Sequence, residues 1–234
     1  MSLTFDNRDE SRPIFFVTED KKDGALRKYT PPETPGRSAD WDALHVDGGN
    51  TEFLLFLDDS HFTWTDDESL GRSSQEEYFP NLEGIAFDKG QLYFVSKVLK
   101  MLFVLDLDKG TYVSSATDDY SLHSGQFKHG PDQLVKNGNG NFLYFTEDGG
   151  KTPGVYAIDS SGQSYSIFEA YDNKYFRDET TGLAFSPDGT IMFAAFQDCG
   201  CDVSGNKDCG CMLQFRRDDG RSFDGKTLAL KAHM

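Results

Sequence analysis

Acidic side chains recur in this sequence at two positions of a repeat of about 49 residues. The first position belongs to a segment of the type Glu83–Phe87, and the second to a Thr-Glu-Asp motif such as Thr146–Asp148. Glu83 and Asp132 occupy the first position; the third copy has Thr181 there, and Glu179 lies two residues before it. Glu19 and Glu147 occupy the second position. Repeats arranged around an axis bring equivalent positions together, so we expect these five side chains at one mouth of a common channel.

Converging carboxylates cannot all stay ionised without a compensating cation. Ca²⁺ is bound by six to eight oxygen atoms from carboxylates, carbonyls and water. The set of five therefore predicts a Ca²⁺ site, or a site for another hard metal ion. For any one of these residues taken alone, a role as a turn or cap residue at a strand end is the simpler interpretation.

Two basic residues accompany the carboxylates and are candidates for catalysis. Arg177 precedes Glu179 by two positions, and Lys97 takes the place of an acid in its repeat. A guanidinium group suits phosphate or carboxylate because it binds both in a bidentate manner. A role for Arg177 in neutralising Glu179 is an equally good interpretation.

The same repeat predicts the fold. Each copy contains a first strand, a turn rich in Gly, Asn or Asp, and further short strands, as in Thr181–Phe185 followed by Ser186–Gly189. Four short strands in about 50 residues are typical of a β-propeller blade. We therefore expect an all-β protein, a single β-propeller domain over residues 1–234 with four-stranded antiparallel blades.

About four blades are visible in the sequence, and the first is expected to be incomplete. Ile14–Asp20 matches Phe142–Asp148, which is a second strand, so the first strand of that blade is missing from the pattern. Residues 58–80 are polar and are expected to form an irregular excursion. A closed four-bladed ring and a part of a larger propeller are both compatible with this pattern.

Charge and hydropathy exclude some classes of partner. The 234 residues include 39 acidic and 23 basic side chains, for a net charge of −16. Such a field repels nucleic acid and anionic membranes. No apolar stretch is long enough to span a membrane, and residues 1–10 have no features of a signal peptide.

All four cysteines lie in one short segment, as Cys199, Cys201, Cys209 and Cys211. Four thiolates can bind one Zn²⁺. Two disulfides are the alternative, which we favour because Cys-x-Cys pairs are unusual in zinc sites, and they would indicate an oxidising compartment.

An ordered set of short segments resembles the PhoX-type alkaline phosphatase family. The segments are Phe16–Asp20, Gly24–Tyr29, Glu83–Phe87, Gly130–Leu134, Tyr144–Gly149, Arg177–Glu179 with Thr181 and Gly182, Phe185–Gly189, and Arg217–Gly220 with Phe223. Each segment alone is weakly specific, and their common order over most of the chain carries the resemblance.

The resemblance implies hydrolysis of a small phosphorylated substrate at a site that holds Ca²⁺ and Fe³⁺. It makes metal ligands of Glu83, Asp132, Glu147 and Glu179, and it gives Arg177 the role of holding phosphate. With the clustered cysteines it also implies an extracellular or periplasmic location. Two alternatives remain open, a lactonase-like hydrolase with a single Ca²⁺ and a Ca²⁺-binding module without catalysis.

Overall fold

The computed structural model describes residues 1–32, 48–117, 127, 129–137, 140–149, 153–170, 177–199 and 210–224, with only the backbone for residues 177 and 178. Within these residues there are sixteen strands and one helix. Their strand pairings are antiparallel, and each of the three sheets contains a run of at least four strands paired in sequence order. The chain is therefore an all-β protein of the β-propeller class, as the repeat predicts.

The chain divides into two compact units, residues 1–115 and 116–234. The first unit begins with a five-stranded sheet in the order β1 to β5. Its strands are β1 (Leu3–Asp6), β2 (Ile14–Val17), β3 (Arg27–Thr30), β4 (Asn50–Phe56) and β5 (Phe62–Thr65). The sheet thus contains β1, a strand that the repeat did not predict.

Strand β1 corrects the expectation of an incomplete first blade. It pairs with β2 from Leu3 opposite Val17 to Asp6 opposite Ile14, and so supplies the missing first strand. The strand has only four residues, and Leu3 and Phe5 are exposed, so its sequence carries no signal of a buried strand.

The second sheet of this unit is a four-stranded blade. Its strands are β6 (Leu82–Asp88), β7 (Gln91–Ser96), β8 (Met101–Asp106) and β9 (Thr111–Ala116). An aromatic core joins the elements of the unit, with Phe56 stacked on Tyr112 and Phe94 stacked on Phe103. Strands β6 and β7 flank the turn at Lys89 and Gly90, which marks their place in the repeat and explains why the sequence located them.

Residues 58–80 form regular structure, and the expectation of an irregular excursion was wrong. Strand β5 is followed by helix α1 (Glu68–Tyr78), whose N-cap Asp67 accepts hydrogen bonds from the backbone of Ser69 and Leu70. The buried face of the helix consists of Gly71, Ser74 and Gln75. Because this face has no large apolar residue, the helix has no apolar periodicity in the sequence.

The second unit repeats the blade pattern. Its strands are β10 (Gly130–Lys136), β11 (Leu143–Asp148), β12 (Gly154–Ile158), β13 (Ser164–Glu169), β14 (Arg177–Phe185), β15 (Ile191–Asp198) and β16 (Cys211–Arg216). The blade β10–β13 is joined to β14–β16 where Asp148 pairs with Glu179. A fourth strand predicted at Lys226–Lys231 lies outside the described residues.

A disulfide between Cys199 and Cys211 ties the end of β15 to the beginning of β16. It confirms the disulfide interpretation for this pair, while Cys201 and Cys209 lie outside the described residues. Within the described part of the chain, no helix combines the length and the apolar character that a membrane span requires.

Candidate functional site

The first strand of each repeat is irregular at the position that the acidic pattern marks. The pairing register shifts between Leu82 and Ile85 in β6, and between Pro131 and Leu134 in β10. Strand β14 shows similar shifts around Thr180. A β-bulge bends its strand and redirects side chains. The bulges therefore give Glu83 and Asp132 the same local backbone setting.

In the first unit, four side chains form a polar group that we call the Glu83 cluster. Its members are Asp20, Asn81, Glu83 and Lys97. The Lys97 ammonium donates to Glu83 Oε1 at 2.7 Å and to Asp20 Oδ2 at 3.3 Å. Asn81 Nδ2 donates to Asp20 Oδ1 at 3.0 Å. The terminal amino group of Met1 lies 3.6 Å from Glu83 Oε2.

Backbone hydrogen bonds hold the cluster in place. Asn81 has a left-handed conformation with a φ of 52°, which asparagine adopts more readily than most residues. Its carbonyl accepts from the Lys97 N–H at 3.0 Å, and its own N–H donates to the carbonyl of Lys21 at 3.3 Å. The buried Thr18 hydroxyl donates to the Glu83 carbonyl at 2.5 Å. These bonds fix β2, β6 and β7 relative to one another.

The two carboxyl groups of the cluster have pKa values shifted in opposite directions. Burial disfavours the charged form and raises the pKa of Glu83 above its ordinary value of 4.5, although Lys97 offsets part of the shift. Burial acts in the same sense on Asp20, but hydrogen bonds from Asn81, Glu83 and Lys97 outweigh it and lower the pKa below 3.8. Asp20 therefore stays ionised while Glu83 is the better proton acceptor.

Water can reach this cluster from one side. The side chains of Lys97 and Asp20 are 27% and 33% exposed, whereas that of Glu83 is 8% exposed. Paired groups with separated pKa values are typical of acid–base sites. An adjacent ammonium can stabilise negative charge that develops on a carbonyl oxygen. The cluster thus has the parts required for general acid–base chemistry.

Glu19, predicted to ligate metal with Glu83, lies close to an arginine of β3 and an arginine of helix α1. Its Oε2 lies 3.0 Å from Arg27 Nη1 and 3.7 Å from Arg72 Nη1. Successive side chains of an extended segment point to opposite sides. Glu19 therefore turns back towards β3, and its neighbour Asp20 reaches the next blade. Its role as a metal ligand stays a prediction.

Glu147, the counterpart of Glu19 in the second unit, also turns towards the third strand of its blade. It is buried, and its Oε1 accepts from the His129 N–H at 2.8 Å. The Tyr156 hydroxyl lies 3.2 Å from Glu147 Oε2 and 3.1 Å from Glu169 Oε1. Burial and the two carboxyl groups raise the pKa of Tyr156. This buried arrangement holds a proton between two acids.

The remaining predicted residues occupy the first strands of the second unit. Asp132 is buried and accepts from Gln133 Nε2 at 3.2 Å. Glu179 pairs through its backbone with Asp148. The side chain of Arg177 lies outside the described residues, so its predicted contact with phosphate stays a prediction. Among the described residues, no group of three or more His, Cys, Asp or Glu side chains is placed to hold a metal ion.

Sequence reasoning identified Glu83 and Lys97 and missed Asp20 and Asn81 as members of the site. Asn81 lies two repeats before Glu179, so the repeat register that marked Glu179 also marks Asn81. The acidic criterion excluded it. Asp20 was visible beside Glu19, and only the alternation of side chains along an extended segment distinguishes the two.

Comparisons with known proteins support the fold and leave the function open. No protein-family model and no curated protein matches the sequence. A nidogen/laminin complex has a chain 11% identical to this one, with a TM-score of 0.50 over 90% of this chain and 59% of that chain. This chain thus spans less than two thirds of that protein, and at so low an identity the likeness concerns the fold alone.

Two other solved structures have lower TM-scores. A luciferin-regenerating enzyme is 10% identical, with a TM-score of 0.44 over 93% of this chain and 78% of that chain. A putative 6-phosphogluconolactonase from Bacteroides uniformis is 13% identical, with a TM-score of 0.44 over 92% of this chain and 71% of that chain. At this level of similarity neither structure identifies the activity of the present chain.

Proposed function

We propose that this protein is a hydrolase of uncharged esters, including lactones, and that the Glu83 cluster activates the attacking water. One observation carries the proposal. Two carboxyl groups with pKa values shifted in opposite directions share the ammonium of Lys97 at a position that solvent reaches. Such a separation of pKa values is the usual basis for assigning an acid–base pair.

The residues of the cluster divide the reaction between them. Glu83, as the better proton acceptor, takes a proton from water while the water oxygen attacks the carbonyl carbon. The Lys97 ammonium stabilises the negative charge on the carbonyl oxygen, and Asp20 holds that ammonium in place. When the carbon–oxygen bond of the ester breaks, protonated Glu83 returns the proton to the leaving alkoxide. The products are a carboxylic acid and an alcohol.

Charge favours an uncharged ester over a phosphomonoester. The charges of Asp20 and Lys97 cancel, and the terminal ammonium of Met1, 3.6 Å from Glu83 Oε2, offsets that of Glu83 when Glu83 is ionised. In the state in which Glu83 acts as a base, the site therefore has no net positive charge to attract a phosphate dianion. Phosphatase activity with Ca²⁺ and Fe³⁺ stays a prediction of the family resemblance.

The cluster does not fit a Ca²⁺ ion while Lys97 is in place. Its ammonium contacts the oxygens of Asp20 and Glu83 that a metal would bind. A second cation at these oxygens would meet like-charge repulsion. The proposed hydrolysis therefore uses only the side chains of Glu83, Lys97 and Asp20.

Hydrolysis of p-nitrophenyl acetate and of a simple lactone, each with and without EDTA, tests the proposal. We expect turnover that EDTA leaves unchanged, and a loss of about 100-fold in kcat/KM for Glu83→Gln. Lys97→Met should lose a similar factor because the oxyanion is no longer stabilised. Lys22→Met is the matched control, since Lys22 pairs with Glu76 on the surface.

Three outcomes would redirect the assignment. Full activity of Glu83→Gln would exclude the cluster as the catalytic site. EDTA-sensitive hydrolysis of p-nitrophenyl phosphate would support the phosphatase family. Absence of turnover on all three substrates would favour a binding module.

A further inference from the structure

Lys97 occupies a repeat position that is acidic in two other blades. Ser96 pairs with Leu82 in β6, and Glu147 pairs with Pro131 at the same point of β10. The next residue is Lys97 in one blade and Asp148 in the other. Asp20 stands at this position in the first blade. The repeat therefore places a cation where two other blades have an acid.

We infer that Lys97 is an internal cation that fills a latent divalent-metal site formed by Asp20, Asn81 and Glu83. The inference concerns cation binding, so it holds whether or not the cluster hydrolyses esters. The class of ligand is a hard divalent cation such as Ca²⁺, which this site would bind only after the ammonium is removed.

The contacts of the ammonium support this inference. It lies 2.7 Å from the carboxylate of Glu83 in β6 and 3.3 Å from that of Asp20 in the segment after β2. Ca²⁺ requires oxygens at about 2.3–2.6 Å, so the ammonium takes up the space that such an ion would need. The position of the lysine is fixed, because its backbone N–H is bonded to the carbonyl of Asn81.

The remaining groups of the cluster have the chemistry of a Ca²⁺ site. Asp20 and Glu83 supply carboxylate oxygens, and Asn81 supplies an amide oxygen once its side chain rotates. The side chain of Glu83 is only 8% exposed, so water solvates its charge poorly. Without the lysine, the terminal ammonium of Met1, 3.6 Å from Glu83 Oε2, would compensate one of the two carboxylates, and a proton or a metal ion would have to compensate the other.

Titration calorimetry with CaCl₂ at pH 8 on the full chain tests the inference. We expect Lys97→Gln to bind one more Ca²⁺ than the wild type, with a Kd of about 10⁻⁴–10⁻³ M. The additional site should disappear in the double variant Lys97→Gln/Asp20→Asn. Lys97→Arg is the matched control, because it retains the charge and should gain no site.

A second measurement uses protein whose lysine is intact. Asp20→Asn should leave any Ca²⁺ binding of the wild type unchanged, since Lys97 excludes the metal from Asp20. A loss of wild-type binding in this variant would overturn the inference, and so would a folded Lys97→Gln protein without an additional site. Neither result depends on ester hydrolysis, so a failure of the proposed activity remains distinguishable.

Discussion

Two neighbouring acids, Glu83 and Asp20, differ because burial and ion pairing compete differently at each. Glu83 is almost fully buried, and desolvation dominates the shift of its pKa. Asp20 is more exposed, and its hydrogen bonds lower its pKa by more than burial raises it. A shared lysine thus does not make the two groups equivalent. The two carboxyl groups should change the pH dependence of stability in opposite directions.

In the wild type, ionisation of Glu83 should lower the free energy of unfolding as pH rises, and Glu83→Gln should abolish this decrease. Because folding raises the pKa of Glu83, its contribution is fully present below about 4.5 and is lost as pH rises through the raised value. The free energy of unfolding of the wild type should therefore decline over this range relative to that of Glu83→Gln. Urea unfolding at several pH values measures the difference.

Asp20→Asn is the control for this pH series, because its effect has the opposite sign. The lowered pKa of Asp20 gives stability above about 3.8 that is lost as pH falls through the lowered value. If Glu83→Gln and the wild type keep the same slope above pH 4.5, Glu83 does not titrate as the structure indicates.

Tyr156→Phe should destabilise the second unit. The hydroxyl of Tyr156 is buried between Glu147 and Glu169, and its removal takes a hydrogen bond from a buried acid. We expect a loss of about 1–3 kcal/mol in the free energy of unfolding.

Tyr165→Phe is the matched control for Tyr156→Phe. The Tyr165 hydroxyl donates to Asp159 at 3.0 Å in a partly exposed setting, where solvent can replace it. Its removal should cost less than that of Tyr156. Equal losses of unfolding free energy in the two variants would show that the contacts of Tyr156 with Glu147 and Glu169 stabilise the protein no more than an exposed hydrogen bond.

At the scale of elements, the sequence predicted those strands that recur at the same place in each repeat. The strand Gly154–Ile158 was predicted with its observed bounds, and so was Thr111–Ala116. Strand β1 was missed because it is short and half exposed. Helix α1 was missed because its buried face is small and polar, so tertiary packing rather than apolar periodicity positions it.

The sequence likewise predicted only part of the Glu83 cluster. The repeat register indicated Glu83 and Lys97, because both stand at repeated positions next to strands. The register does not say which of two adjacent residues faces the neighbouring blade, and this uncertainty led to Glu19 instead of Asp20. The contribution of Asn81 depends on its left-handed backbone, for which residue type is only a weak signal.

Gly71→Ala should destabilise helix α1, although alanine is the better helix former. A Cβ atom at position 71 would overlap the Cβ of Phe53 in strand β4. The helix would have to move away from the sheet, and we expect a net loss of about 1–3 kcal/mol. Thermal unfolding measures the change.

Ser73→Ala tests helix propensity without this contact, because Ser73 is exposed on the same helix. Ser73→Ala should leave the free energy of unfolding unchanged or raise it by a few tenths of a kcal/mol. A stabilising Gly71→Ala would mean that α1 does not pack closely on β4.

At the scale of the whole molecule, the net charge of −16 acts on every charged substrate that approaches. The field of an acidic protein lowers the local concentration of anions and leaves that of neutral molecules almost unaffected. Dissolved salt screens this field over about 10 Å at 0.1 M. The proposed preference for uncharged esters should therefore have a component that depends on ionic strength.

An uncharged ester and a carboxylated ester with the same leaving group can be compared. This comparison separates the salt-dependent part of the substrate preference from the chemistry of the site. Between about 10 mM and 300 mM NaCl, kcat/KM for the anionic ester should rise by up to about tenfold, because screening removes its repulsion. The value for the uncharged ester should stay constant, since salt does not alter the contacts among Glu83, Lys97 and Asp20 at hydrogen-bonding distance. An equal rise for both esters would place the effect of salt on the cluster itself. In that case the net charge would not select the substrate, and local repulsion by Asp20 and Glu83 would be the remaining electrostatic cause.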